Sequence, residues 1–358
     1  MVINHPSFRY FQEAFIMNIE ETIFDTYQGH SIHKITLTND NNVAISLLSL
    51  GATWHEFLVP IQDKQKNILL NFSTAHDYLS NPFYIGMAIG RTAGRIKNGT
   101  FPLNGQSVTV PTNEGQNTLH GGPSGFNTLI WDYNSCQSDE AVSITFSRSI
   151  SHNEDGFPGD LAATVTYTLD NHNRVTLQFT GESNEDTLFN PTSHAYFNLS
   201  DSKTILGHQL MIASSEYLEM DSEKIPTGKL LPVKGTPFDF TTNQQLGDAI
   251  QALQGTTEKG FDDIYKITPN QQPIVKLSDP TSHRSLTISS SRNALVVFTS
   301  NSFTKNLAFN SGAGEPYMGI ALESQTLPDT PNHPGFGDVV LPKNQKISQT
   351  ITYQYMNK

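Results

Sequence analysis

Apolar and polar residues alternate along most of this chain with a period of two. Val142, Ile144 and Phe146 are interleaved with Ser143, Thr145 and Ser147, and Leu161, Ala163, Val165, Tyr167 and Leu169 with Ala162 and three threonines. Val175, Leu177 and Phe179 follow after Asp170-Asn171-His172-Asn173. Such spacing predicts half-buried strands, the last two joined as a hairpin across the Asp/Asn turn. Val43, Ile45 and Leu47 form another alternating run, and Ile347, Ile351, Tyr353 and Tyr355 one more near the C-terminus. The unbroken apolar piece Ala294-Leu295-Val296-Val297-Phe298 predicts a strand covered on both faces. Helical signals are short, at Thr74 to Leu79 and Leu246 to Leu253, with no long i, i+3, i+4, i+7 stripe.

Glycine (25) and proline (19) punctuate these runs and do not collect into a linker, and no fixed-period repeat stands out. The expectation is an all-β protein of stacked antiparallel sheets with few short helices. Without a composition break, residues 18–358 read as a single domain. Residues 1–17 read as an N-terminal extension, Met17 being a candidate second start.

Composition narrows the partners. Hydrophobic residues make up 36% and charged residues 16% of the 358, a folded and not a disordered balance. A net charge of -12 argues against nucleic acid, an anionic membrane surface or a polyphosphate substrate, and suits a neutral small molecule. The single cysteine, Cys136, permits no intrachain disulfide and is expected to be a buried, inert thiol. Met1 to Met17 has neither a continuous apolar core nor a small-residue cleavage site, so a signal peptide is not expected. No stretch approaches the ~20 apolar residues of a membrane span. A cytoplasmic protein, monomer or homodimer, is the expectation.

Five polar segments carry more chemistry than a strand connection needs. Gly90-Arg91-Thr92-Ala93-Gly94-Arg95-Ile96 sets two guanidinium groups among small residues; taken alone it reads as a surface turn with solvated arginines. Asn117-Thr118-Leu119-His120-Gly121-Gly122 allows φ > 0 or close backbone approach after a histidine, and is as readily a structural turn as a binding loop. Asn190-Pro191-Thr192-Ser193-His194-Ala195-Tyr196-Phe197 holds a histidine between a polar approach made extended by Pro191 and an aromatic pair. Such a histidine is either a hydrogen-bonded packing residue or a proton carrier near neutral pH. In Gly260-Phe261-Asp262-Asp263 a carboxylate could accept two vicinal sugar hydroxyls, or merely face solvent. Glu323 interrupts the apolar run Gly319-Ile320-Ala321-Leu322; burying it there costs on the order of several kcal/mol unless it is paired, unless it lies on an exposed strand face.

In order along the chain, GRTAGRI, LHGG, NPTSHAYFNL, GFDD and ALESQTLPD resemble the motif series of the aldose 1-epimerase (galactose mutarotase) family, as does the turn Gly156-Phe157-Pro158-Gly159-Asp160. The resemblance implies a large antiparallel β-sandwich, with few short helices and the sugar in a cleft. It also implies an isomerase that interconverts α and β anomers of free aldoses such as galactose and glucose, without cofactor or metal. By that likeness Glu323 stands as general base and His194 as general acid, and Arg95, His120 and Asp262 stand where sugar oxygens are bound. The chain departs from the pattern at Asp263, where histidine is frequent, and at Val296, where some members carry glutamine.

Ring opening needs the anomeric O1 hydroxyl to lose a proton while the ring oxygen O5 gains one. The expectation is that ionised Glu323 takes the first and protonated His194 gives the second, proximity favouring both charges. The alternatives are a sugar-binding or sensor module on the same scaffold, or an epimerase acting on a disaccharide or a hexose 6-phosphate. The phosphate version would want a cluster of basic residues, and none is evident. A glycoside hydrolase pairing Glu323 with Asp262 leaves the histidine motif unexplained. A zinc site built on His30 and His33 lacks a ligand set.

Overall fold

The alternating runs form strands at the expected places in the computed structural model, which describes residues 17–357. Ala141–Ile150, Leu161–Asp170 and Arg174–Ser183 pair in antiparallel register, with Leu169 opposite Val175 across the Asp170–Asn173 turn. They belong to a nine-stranded sheet continued by Lys346–Asn357, Arg284–Ser290, Val275–Asp279, Gln209–Ile212 and Gln244–Gln245, with Asp132–Gln137 at the other edge. A five-stranded meander runs in chain order from Asn18–Tyr27 to Lys64–Asn67. A six-stranded sheet has the order Tyr196–Phe197, Ile320–Gln325, Ala294–Phe298, Asp262–Lys266, Glu216–Met220, Pro226–Pro232. All these pairings are antiparallel, so the expected all-β architecture is what the chain adopts.

One continuous core joins a face of each sheet. Trp54 and Phe57 come from the meander, Val165, Leu177 and Tyr353 from the nine-stranded sheet, and Leu295, Val297 and Leu322 from the six-stranded one. Trp54 is the hinge of this packing, with ring centroids 5.0 Å from Tyr353 and 5.9 Å from Phe197. Each such side chain contributes roughly 1.5–3 kcal/mol by leaving water. Met17 is itself part of that core, its N–H donating to Asp40 Oδ1 at 2.8 Å. The rest of the N-terminal extension lies outside the described residues.

Because side chains alternate along a strand, committing Leu295, Val297 and Leu322 to the core turns Val296, Phe298, Ala321 and Glu323 to the opposite face. That face is the floor of the cavity described below. Both expected helices are present as Ala75–Leu79, capped by the Thr74 hydroxyl, and Leu246–Ala252. A third short helix, His152–Asp155, begins in a Ser151/Glu154 capping box.

Two expectations fail. Cys136 is exposed, because it sits on the polar edge strand Asp-Tyr-Asn-Ser-Cys-Gln of the nine-stranded sheet. Arg91 is not a solvated surface arginine: it is 1% exposed. Its Nε and Nη2 donate to both carboxylate oxygens of Asp155 at 2.6 and 3.1 Å, and Nη1 donates to the Pro158 carbonyl at 3.0 Å. Arg91 thereby fastens the 90–95 loop to the Gly156–Asp160 turn. Among the described residues no helix is long and apolar enough to cross a membrane.

Candidate active site

A cavity of about 290 Å³ opens on the outer face of the six-stranded sheet. All five residues singled out from the sequence line it: Arg95, His120, His194, Asp262 and Glu323. They come from five separate segments, and the way each is held follows from local sequence.

Glu323 lies mid-strand, directly opposite Val296, which in turn lies opposite Ile264. Its carboxyl therefore rests on an aliphatic wall. At 2% exposed it is the buried carboxylate that its apolar neighbours implied. His194 follows the strand Thr192–Ser193; its N–H donates to the Met87 carbonyl at 3.0 Å, and its own carbonyl accepts from Gly86 at 2.9 Å. Tyr196 stacks on its ring at 5.1 Å. Nε2 of His194 is 3.4 Å from Oε1 of Glu323, while Nδ1 of the histidine and Oε2 of the glutamate have no hydrogen-bond partner.

Burial reverses the sequence expectation about charge. Burial pushes the Glu323 carboxyl up to about 8, with Asp262 adding to the effect and Arg95 opposing it. Burial pulls the His194 imidazole down to about 4. Desolvation outweighs mutual attraction, so the pair holds one proton near neutral pH and holds it on the carboxyl.

His120 is set by the Leu119-His120-Gly121-Gly122 turn, which needs its glycines: at Gly121, with φ 87°, an added Cβ would stand 1.9 Å from the Gly90 carbonyl oxygen. This turn pairs with the 90–95 loop, Leu119 opposite Arg95. The Gly94 N–H donates to Nδ1 of His120 at 3.2 Å, and burial, His194 and Arg95 keep the ring neutral. Its proton therefore sits on Nε2, making that nitrogen a donor. The donor atoms of His120, His194 and Glu323 lie within 4.8 Å of one another, a spacing that a metal could use. The Gly94 bond argues otherwise, since it occupies the lone pair of one His120 nitrogen and puts a hydrogen on the other. His30 and His33, three apart on one strand, point to opposite faces, and His33 pairs with Glu21 at 2.9 Å.

Arg95 is gripped by Glu114 through Nε and Nη2 at 2.6 and 2.8 Å. Burial works to lower its pKa, but the bonds and charge of Glu114 outweigh this and raise it. Asp262 opens the strand Asp262–Lys266 and faces Lys224, whose Nζ is 3.4 Å away and 2.8 Å from Glu258. Asp263, the first departure from the family pattern, alternates to the other face, where burial and then its charge raise the pKa of Tyr217 and Tyr265; burial pushes its own up to about 7. Val296, the second departure, is in the cavity wall.

Sequence reasoning missed Tyr84, Glu114, Lys224, Phe298 and Gln325, all of which line the cavity. Gln325 could have been found, being two residues beyond Glu323 on the same strand. Glu114 and Lys224 carry no local signal.

The arrangement is a cavity of about 290 Å³ with a carboxyl–imidazole pair 3.4 Å apart on its floor and polar groups around its rim. The family model described as Aldose 1-epimerase matches residues 33–354. The chain is 40% identical to an aldose 1-epimerase of Streptococcus thermophilus, over 95% of this chain and 99% of that one. It is 38% identical to a maltose epimerase of Levilactobacillus brevis, over 96% and 100%. Its fold superposes on the crystal structure of a galactose 1-epimerase from Lactobacillus acidophilus with a TM-score of 0.84 and 26% identity, covering 95% of this chain and 99% of the other. The chain belongs to the aldose 1-epimerase family, an isomerase family.

Proposed function

We propose that this chain interconverts the α and β anomers of free aldohexoses, D-galactose and D-glucose among them, using Glu323 and His194 as its acid–base pair. The observation that carries this reading is the 3.4 Å approach of His194 Nε2 to Glu323 Oε1 on the floor of the cavity. With a sugar bound, the proton moves to His194, and the carboxylate faces O1 while the imidazolium faces O5. Glu323 takes the O1 proton as His194 gives its proton to O5, the C1–O5 bond breaks and C1=O1 forms. The aldehyde turns about C1–C2, and reclosure reverses both transfers.

After opening, Glu323 is again a neutral acid and His194 a neutral imidazole. That is the pairing that burial favours. The desolvation cost of forming the ion pair is thus recovered as the two transfers open the ring, and each well-placed acid or base contributes ~10²–10⁴-fold. Arg95, His120 Nε2–H and Asp262 hold the remaining oxygens so that only the C1 end moves.

Both cations at the rim are already paired, Arg95 with Glu114 and Lys224 with Glu258, which disfavours a phosphorylated sugar. A reducing disaccharide is the second reading. With C1 at the buried floor, O4 across the pyranose faces the opening. There a groove sharing Arg95, Glu114 and Lys224 with the cavity continues past Gln116 and Ser222. The L. brevis relative is named for action on maltose, a 4-linked disaccharide.

Polarimetry of freshly dissolved α-D-galactose, α-D-glucose and maltose, with a chelator control, tests both readings. Acceleration of the monosaccharides is expected. Acceleration of none of the three sugars would leave a sugar-binding module as the better account.

A further inference from the structure

We propose that Gln325 is a substrate-binding residue, its side-chain amide hydrogen-bonding a hydroxyl on one of the two carbon positions that flank the C1–O5 edge, C2 or C6. The inference rests on the epimerase reading above for the orientation of the sugar.

Gln325 is fully buried, lines the cavity, and has no partner for either its amide nitrogen or its carbonyl oxygen. An unpaired primary amide out of water is costly and persists where something arrives to satisfy it. It shares a strand and a face with Glu323, two residues along, so the two Cα atoms are about 6.6–7 Å apart. Asp262 lies on the other side of Glu323: it pairs with Phe298, which pairs with Ala321. Gln325 instead borders the Gly94 turn, where a Cβ on Gly94 would come within 3.3 Å of its Nε2. The amide thus sits beside the reacting edge of the ring, on the side away from Asp262. With Glu323 and His194 on O1 and O5, the hydroxyls in reach are those one carbon further along, on C2 or C6. An amide both donates and accepts, which matches a hydroxyl in either role.

Gln325→Met keeps the shape and removes the polarity. Replacing an orphaned polar group by an apolar one of similar shape is neutral or stabilising, so the variant is expected to melt at or above the wild-type temperature. Its kcat/KM on D-glucose is expected to fall roughly tenfold or more. The same variant assayed on 2-deoxy-D-glucose and 6-deoxy-D-glucose is expected to lose that penalty with one of the two. An equal penalty on all three sugars, or none on D-glucose, overturns the assignment while leaving the epimerase reading intact. Should the wild type accelerate no sugar, the epimerase reading fails separately. Calorimetric binding of D-glucose then decides for Gln325, with roughly tenfold weaker binding by Gln325→Met expected and equal binding contradicting it.

Discussion

Nε2 of His194 and Oε1 of Glu323 face each other at 3.4 Å in a setting that makes both groups prefer to be neutral. A pair sharing one proton works only between its two titrations. The kcat/KM profile, after subtraction of the solvent-catalysed rate, is therefore expected to be a plateau falling on the acid side near pH 4 and on the alkaline side near pH 8. A profile that fell with a pKa near 6.5, the ordinary histidine value, would contradict the burial argument.

The same burial has a stability consequence. The folded-state pKa of Glu323 is raised, so its contribution is fully present below the unfolded value near ~4.5 and is lost as pH rises through about 8. Glu323→Gln removes that liability and is expected to gain about 4 kcal/mol relative to wild type between pH 5 and pH 9. Urea denaturation at the two pH values reads this directly; an unchanged difference would show that the carboxyl is not titrating in the fold.

Arg91 and Asp155 form a buried pair that binds the 90–95 loop, which carries Arg95, to the Gly156–Asp160 turn. Arg91→Ala leaves Asp155 buried without its cation and is expected to cost ~3–5 kcal/mol of stability. Chemical denaturation checks the figure, and a loss below ~1 kcal/mol would mean that Asp155 finds water.

Glu114 does not touch the reacting atoms in the proposed mechanism but holds Arg95 by two bonds. Glu114→Gln is expected to raise KM several-fold with a smaller change in kcat, since it loosens a binding group and not the proton pair. A dominant fall in kcat would argue for a different role for Arg95.

Fold class was legible because period-two alternation reports directly on which strand face is buried, and the Asp170–Asn173 hairpin lies where that pattern put it, while the two short helical signals also formed helices. The Ser151/Glu154 capping box was also in the sequence, hidden in a polar stretch between two strands. The buried state of Glu323 was legible for the same reason, from its apolar flanks. Arg91 was not: its burial depends on Asp155, 64 positions later, and a long-range ion pair leaves no local trace. Cys136 misled because residue type predicts burial on average, whereas a polar edge strand leaves its side chains in solvent. Charge state misled most, since proximity of opposite groups is easy to infer and the depth of their burial is not.

The central claim is that Glu323 and His194 together carry the proton transfers. Polarimetry of α-D-galactose with wild type, Glu323→Gln and His194→Asn, each with matching far-ultraviolet circular dichroism, tests it most directly. Both variants are expected to fold and to lose at least ~10²-fold in kcat. Retention of most of the wild-type rate by either folded variant would contradict the account.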